Sequence, residues 1–174
     1  WAAEHGARSA TTLAEVVAGC DAAVTMLPTG VEVRAVLTDE AVLAAARAGL
    51  LAIDMSSADP VGTRELGADL AVHGIDLVDA PVSGGVPRAI EGTLAIMTGG
   101  SPEALARARP VLGAMGDRLF DIGGLGNGHA MKCLNNFVAG SAFVALCEAV
   151  RVGEEFGLDP DVMIDVMNVS TARC

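Results

Sequence analysis

Lysine is nearly missing from this chain. Of eleven basic residues among 174, ten are arginine, and Lys132 is the only lysine. Tyrosine is absent, the one tryptophan is residue 1, and aromatic residues make up 3% of the chain. The core must therefore be built from Ala, Val, Leu and Gly, which suits closely packed helices and sheet. Positive charge is scarce: the formal net charge is −11. Nucleic-acid phosphates demand clustered Lys and Arg, so that balance argues against a nucleic-acid partner and equally against an anionic membrane surface. A small acid is not excluded, because one local cation can bind a carboxylate within an acidic protein.

Other absences narrow the chemistry. Cys20, Cys133, Cys147 and Cys174 match neither a zinc pattern nor a CxxC redox pair, and read as reduced thiols of a cytoplasmic protein. His5, His73 and His129 are scattered and give no HxxxH metal pattern, so no metal is expected. No Ser-His-Asp order or GxSxG elbow occurs. No uninterrupted apolar run approaches the ~18 residues of a membrane span. No signal peptide is visible. The chain lacks an initiator Met and starts within a pattern, so both ends read as cut.

What is present alternates. "AAVTML" (22–27), "LLAIDM" (50–55), "IDLVDAPV" (75–82), "TLAIMTGG" (93–100) and "RLFDIGG" (118–124) read as five strands, the first two of them buried. Between most of them lie helical patterns. Thr, Ser101 and Asp159 stand at helix starts, Pro60 and Pro160 at first helical positions, and Gly49 and Gly74 past helix ends. Strand and helix alternating at this spacing imply parallel βαβ units in a doubly wound sheet. The third-to-fourth connection differs: it is a Gly-rich loop without a helix-length insert, so that pair is expected to be antiparallel or irregular. From Gly126 to about Phe156 no proline occurs, which predicts one helix about 46 Å long at ~1.5 Å per residue. The fold class is thus α/β. A partial Rossmann-type sheet over 1–124 is followed by a long interdomain helix and the start of an all-α domain over 125–174.

Several segments carry chemistry. In an open α/β sheet, ligands sit outside the carboxyl ends of the strands. "DAPVSGG" (79–85) ends a strand there, and Ser83, Gly84 and Gly85 offer a hydroxyl and close backbone N–H groups to a carboxylate. "MLPTG" (26–30) and "DMSSADP" (54–60) place backbone amides and small hydroxyls at the same edge, suited to a ribose or nicotinamide. Asp54 and Asp79 read as structural rather than as general bases. In "GNGHAMKCLNNF" (126–137), Lys132 and Asn136 are spaced to share a helix face. An ammonium can exchange a proton with a carbonyl or alcohol oxygen once its pKa is lowered toward neutrality, which arginine cannot do. That explains why this one lysine persists in an arginine-biased chain.

These four segments together resemble the β-hydroxyacid dehydrogenase family, over essentially the whole chain. The resemblance implies an N-terminal Rossmann-type domain, a long interdomain helix and an all-α C-terminal domain. It implies hydride transfer between NAD or NADP and a small 3-hydroxy acid, with 3-hydroxyisobutyrate leading. Alternatives are 2-hydroxy-3-oxopropionate (tartronate semialdehyde), 2-(hydroxymethyl)glutarate and threonate. By the same resemblance Lys132 is the catalytic lysine, Asn136 orients substrate, and Ser83, Gly84 and Gly85 bind its carboxylate. Leu27 and Pro28 match a cofactor-contacting "LP" pair, with Glu32 near it. Ser57 falls where the family has a Thr against the cofactor. "NVSTARC" (168–174) resembles an N-x-S-x-x-R segment of the family. The G-x-G-x-x-G fingerprint is missing, and "GGLGNG" (123–128) cannot replace it. The segment alone is therefore expected to bind dinucleotide weakly and turn over nothing useful, and the full-length protein to be a homo-oligomer. A non-catalytic dinucleotide-binding module and a non-functional fragment are the competing readings.

Overall fold

In the computed structural model, residues 2–171 are described; Trp1 and residues 172–174, including Arg173 of the C-terminal segment, lie outside them. The chain divides into two compact units, Trp1–Lys132 and Cys133–Cys174.

The first unit is built on a six-stranded sheet. Strands β1 (Ala22–Thr25), β2 (Leu51–Asp54) and β3 (Asp76–Asp79) run parallel, in register Thr25–Asp54–Asp79 at their carboxyl ends. Helix α1 (Leu13–Val17) precedes β1, α2 (Gly30–Leu37) and α3 (Glu40–Ala45) lie between β1 and β2, and α4 (Pro60–Ala71) lies between β2 and β3. Their starts follow the capping chemistry expected of the sequence. The Thr12 hydroxyl caps α1 in a reciprocal box with Glu15, Thr29 does the same for α2 with Glu32, and Asp59 accepts from Gly62 N ahead of Pro60. The helix expected to close at Gly49 instead stops at Ala45.

After β3 the chain pairs antiparallel, as expected, but the Gly-rich loop holds a short strand and a short helix. The short strand β4 (Val82–Ser83) continues β3, and a seven-residue helix, α5 (Gly85–Glu91), fills the loop. Strand β5 (Ala95–Gly99) pairs antiparallel with both, matching Gly99 to Asp79, Ile96 to Val82 and Ala95 to Ser83 in one register. Residues 76–83 thus form one extended run. Its first half pairs with β2 and its second half with β5. Helix α6 (Pro102–Leu112), capped by Ser101, leads to β6 (Arg118–Gly123), parallel to β5.

Side chains alternate across the strands, as the period of two requires. On one face Leu50, Ala52 and Leu77 pack with Val33, Leu37, Leu66 and Leu70. On the other, Leu51, Ile53, Val78 and Ile96 pack with Ala104, Ala108 and Leu112. Both faces are covered, which fits the doubly wound reading.

Helix α7 (Asn127–Glu155) runs 29 residues, matching the uninterrupted stretch in the sequence. Its first residues belong to the first unit, the remainder to the second. Within the second unit, Gly153 leaves room for the Met163 side chain of α8 (Pro160–Val169), whose start Asp159 caps. Gly157, at φ 78°, reverses the chain between the two helices.

Candidate active site

The parallel register brings three motif segments to one edge of the sheet. Leu27 N donates to Ser56 Oγ at 2.9 Å, which joins the "MLPTG" and "DMSSADP" loops. A Cβ on Gly30 would stand 3.0 Å from the Ala58 Cβ, so the two loops touch there as well. Leu27 is half-buried, beside an apolar groove of about 290 Å³ that includes Val24 and Met26. Pro28 and Ser57 are exposed on the same edge. Glu32 is exposed too, and its carboxylate closes the α2 capping box by accepting from Thr29 N at 3.0 Å. The Thr29 hydroxyl bound to it holds its pKa below the usual carboxylate value. The sequence points to Ser57, but its buried neighbour Ser56 makes the inter-loop bond.

Ser83 is half-buried and ends the extended run rather than sitting in a free loop. Gly84 (φ 136°) and Gly85 (φ 64°) follow in conformations that L side chains rarely adopt. The Arg88 side chain folds back over Gly84, where a Cβ would meet its Cδ at 2.6 Å.

The start of α7 is the most tightly built part of the edge. Asp79, fully buried, reaches from the end of β3 to the helix N-terminus. Its Oδ1 accepts from Gly126 N at 2.8 Å and its Oδ2 from His129 N at 2.7 Å. A carboxylate there satisfies two orphan N–H groups and meets the positive end of the helix dipole. Three glycines make the approach feasible. A Cβ on Gly99 would lie 2.5 Å from Asp79 Oδ1, one on Gly128 2.8 Å from Oδ2, and one on Gly126 against Pro60 O at 2.7 Å. Burial pushes the Asp79 carboxyl up from its ordinary value, against the two N–H donors and the nearby His129 ring. Arg64 of α4 adds a second hold, donating from Nε to Leu125 O and from Nη2 to Asn127 Oδ1, each at 3.0 Å.

His129 corrects the reading of scattered histidines. It is completely buried among the three strand-end loops. Its Nε2 lies 3.1 Å from Ser56 O and its Nδ1 2.8 Å from Thr63 Oγ1. Asp54 Oδ2 stands 3.7 Å from Nε2 and Asp79 Oδ2 3.9 Å from Nδ1. No residue spacing announces this cluster, because its members are about 50 to 75 positions apart. The helical spacing of 129 to 132 was the only sequence signal that tied it to the lysine.

Lys132 follows one turn later, half-buried, and its ammonium has no hydrogen bond or ion pair among the described residues. Asn136 lies four residues on along the same helix and is exposed. No group of three metal-ligating side chains occurs among the described residues.

Comparison with known proteins assigns the class. Residues 1–124 match the family model of the NAD binding domain of 6-phosphogluconate dehydrogenase, and the chain belongs to that family. Residues 126–174 match a second model, the NAD-binding domain of NADP-dependent 3-hydroxyisobutyrate dehydrogenase. Relatives 35–43% identical are named 3-hydroxyisobutyrate dehydrogenase, which bears out the resemblance read from the four motifs. The 3-hydroxyisobutyrate dehydrogenase of Mycobacterium tuberculosis, solved with L-serine, superposes with a TM-score of 0.89 at 43% identity, over 99% of this chain and 59% of that one. The Salmonella typhimurium 3-hydroxyisobutyrate dehydrogenase superposes with a TM-score of 0.85 at 29% identity, over 94% and 57%. The Pseudomonas aeruginosa 3-hydroxyisobutyrate dehydrogenase is 39% identical over 97% of this chain and 57% of its own length. The chain thus spans somewhat over half the length of these relatives.

Proposed function

We propose that the full-length protein is an NAD(P)-dependent dehydrogenase of a small 3-hydroxy acid, with 3-hydroxyisobutyrate as substrate and methylmalonate semialdehyde as product. The observation that carries this reading is the placement of the sole lysine. Its helix starts buried at the carboxyl ends of the parallel strands, and its ammonium has no partner among the described residues. The names of the relatives support the substrate class, and the L-serine in the Mycobacterium tuberculosis structure is itself a 3-hydroxy acid.

In this reading Ser83, Gly84 and Gly85 hold the substrate carboxylate. Lys132 takes the hydroxyl proton on oxidation and returns it on reduction. Asn136 orients the substrate oxygen. Leu27, Pro28 and Ser57 face the dinucleotide, and Glu32 fixes the helix start beside them. The joined loops at the ends of β1 and β2 fit that group: they form one surface with exposed Pro28 and Ser57 on it. A bound nicotinamide supplies the hydride chemistry. We place the domain boundary at 124–125, supported by the change of family model between residues 124 and 126.

Helix α7 is also long and apolar enough to cross a membrane by length and composition. The dehydrogenase match over 126–174 supports a cytoplasmic protein instead, with exposed Leu134, Phe137, Phe143 and Val144 of α7 serving a homo-oligomer. The net charge of −11 supports the absence of a nucleic-acid partner.

The test follows NAD(P)H absorbance of the full-length protein with 3-hydroxyisobutyrate and each nucleotide. Lys132→Ala is expected to lower kcat by about 10²- to 10⁴-fold, the usual worth of a positioned acid–base group. Lys132→Arg should fare no better, because guanidinium cannot give up its proton. Turnover that survives both substitutions would place the proton transfer elsewhere.

A further inference from the structure

The buried cluster beneath Lys132 has no part in the proposed proton transfer, yet it is unusually polar for the interior of this molecule. Four of its side chains, Asp54, Ser56, Asp79 and His129, are at most 2% exposed. An apolar side chain of the same volume at position 129 would avoid desolvating an imidazole between two carboxylates. Such replacements are often neutral or stabilising. Stability alone therefore gives no reason for a histidine here.

The connections suggest another reason. The Ser56 carbonyl can only accept, so Nε2 of His129 carries a proton and donates to it. Ser56 in turn receives Leu27 N on its hydroxyl. Nδ1 meets the Thr63 hydroxyl in the first turn of α4. The same hydroxyl donates to Asp59 O at 2.9 Å, so the ring, Thr63 and the start of α4 form one chain of contacts. The His129 backbone N–H goes to Asp79, four residues before Ser83. One residue thus bonds to the loop after β2, to α4 and to the root of the Ser83 run, and through Ser56 to the Leu27 loop. It does so three positions before Lys132, within the same compact unit.

We propose that His129 is a positioning residue for Lys132: its imidazole, held by Ser56 and Thr63, sets the placement of the first turn of α7 against the strand-end loops. This rests on the dehydrogenase reading for its kinetic consequence, but not for its structural one. A helix start held only by backbone caps can rock about its end. A side chain bonded at both ring nitrogens removes that freedom.

The test uses the full-length protein and two readouts. Steady-state kinetics are measured for His129→Leu, His129→Gln and Thr63→Val. In parallel, the pH profile of Lys132 acylation by an amine-reactive ester is followed on its peptide by mass spectrometry. His129→Leu should fold, lower kcat about 100-fold, as a displacement near 1 Å can, with little change in KM, and shift the lysine profile. His129→Gln keeps one donor and one acceptor on a side chain of similar reach, and should recover most of both. Thr63→Val should show the same defect as His129→Leu in weaker form, and decides the matter if His129→Leu does not fold. Wild-type kcat and an unshifted lysine profile in His129→Leu, or in Thr63→Val where that variant decides, would overturn the proposal. A wild type without turnover on any small 3-hydroxy acid would defeat the dehydrogenase reading alone. The lysine profiles would then still decide whether His129 positions the helix.

Discussion

Asp54 and Asp79 occupy matching places at the ends of neighbouring strands, register partners across β2 and β3. Both are buried. Their uses differ. Asp54 serves its own neighbourhood: Oδ1 accepts from Ser56 N, two residues on, at 3.0 Å, and from the Thr25 hydroxyl on the adjoining strand at 2.9 Å. Asp79 serves a distant element, taking two N–H groups at the start of a helix 47 and 50 residues away. The same side chain in the same register thus shapes a loop in one case and docks a helix in the other. What decides is the neighbour across the sheet. Next to Asp79 stands Gly99, whose missing Cβ opens the path to α7.

The largest test of that contrast is truncation of each carboxylate. Asp79→Ala orphans two buried N–H groups at about 1–3 kcal/mol each, so a loss of about 4 kcal/mol is expected in denaturant unfolding. Asp54→Ala should lose about half as much, since one of its two donors is a hydroxyl that can rotate rather than a fixed N–H. Equal losses would break the comparison. Attack from the helix side should come next. Gly128→Ala pushes a methyl onto Asp79 and the Met97 carbonyl and should cost about 3 kcal/mol. Gly124→Ala, with open space around it, should stay within about 0.5 kcal/mol. Thr25→Val removes one neutral donor from Asp54 and should cost about 1 kcal/mol without disturbing α7.

The smallest effect is in pH. The Asp79 pKa is raised in the fold, so from about pH 4 upward the native state holds more protons than the unfolded chain. Stability contributed by this group is full below its unfolded pKa and is lost as pH rises through the folded one. The stability gap between wild type and Asp79→Asn should therefore narrow as pH rises through that window. Unfolding series at several pH values check this, and a widening gap would reverse the assignment.

Much of the fold was legible because its signals are local. Caps at Thr12, Thr29, Asp59, Ser101 and Asp159 lie within three residues of the N–H groups they bind, so the sequence displays both partners. The uninterrupted apolar run Leu50–Ile53 shows two-sided burial directly. The strand β4 and helix α5 were not legible. Val82–Ser83 is only two residues long and exists because β5 returns antiparallel beside it, a tertiary fact. The candidate site divides in the same way. Lys132, Asn136 and the Ser83–Gly85 segment stand out by spacing and by rarity. His129 does not, because its partners Ser56 and Thr63 are 73 and 66 residues away and only the folded sheet edge gathers them. The sequence does not separate Ser56 from Ser57 for a related reason. Adjacent serines look alike in a string, and only the folded loop after β2 turns one inward.

The crowding at Gly99, Gly126 and Gly128 has a genetic side. Glycine codons begin with two guanines, and any base change at either of those positions that leaves a sense codon installs a side chain. None of these three positions therefore has a conservative neighbour in the genetic code. Lysine and arginine can interchange through a single base change, but no exchange of that kind is open here. Chance variants at this helix start should be lost from a population even when the chemistry-bearing residues are untouched.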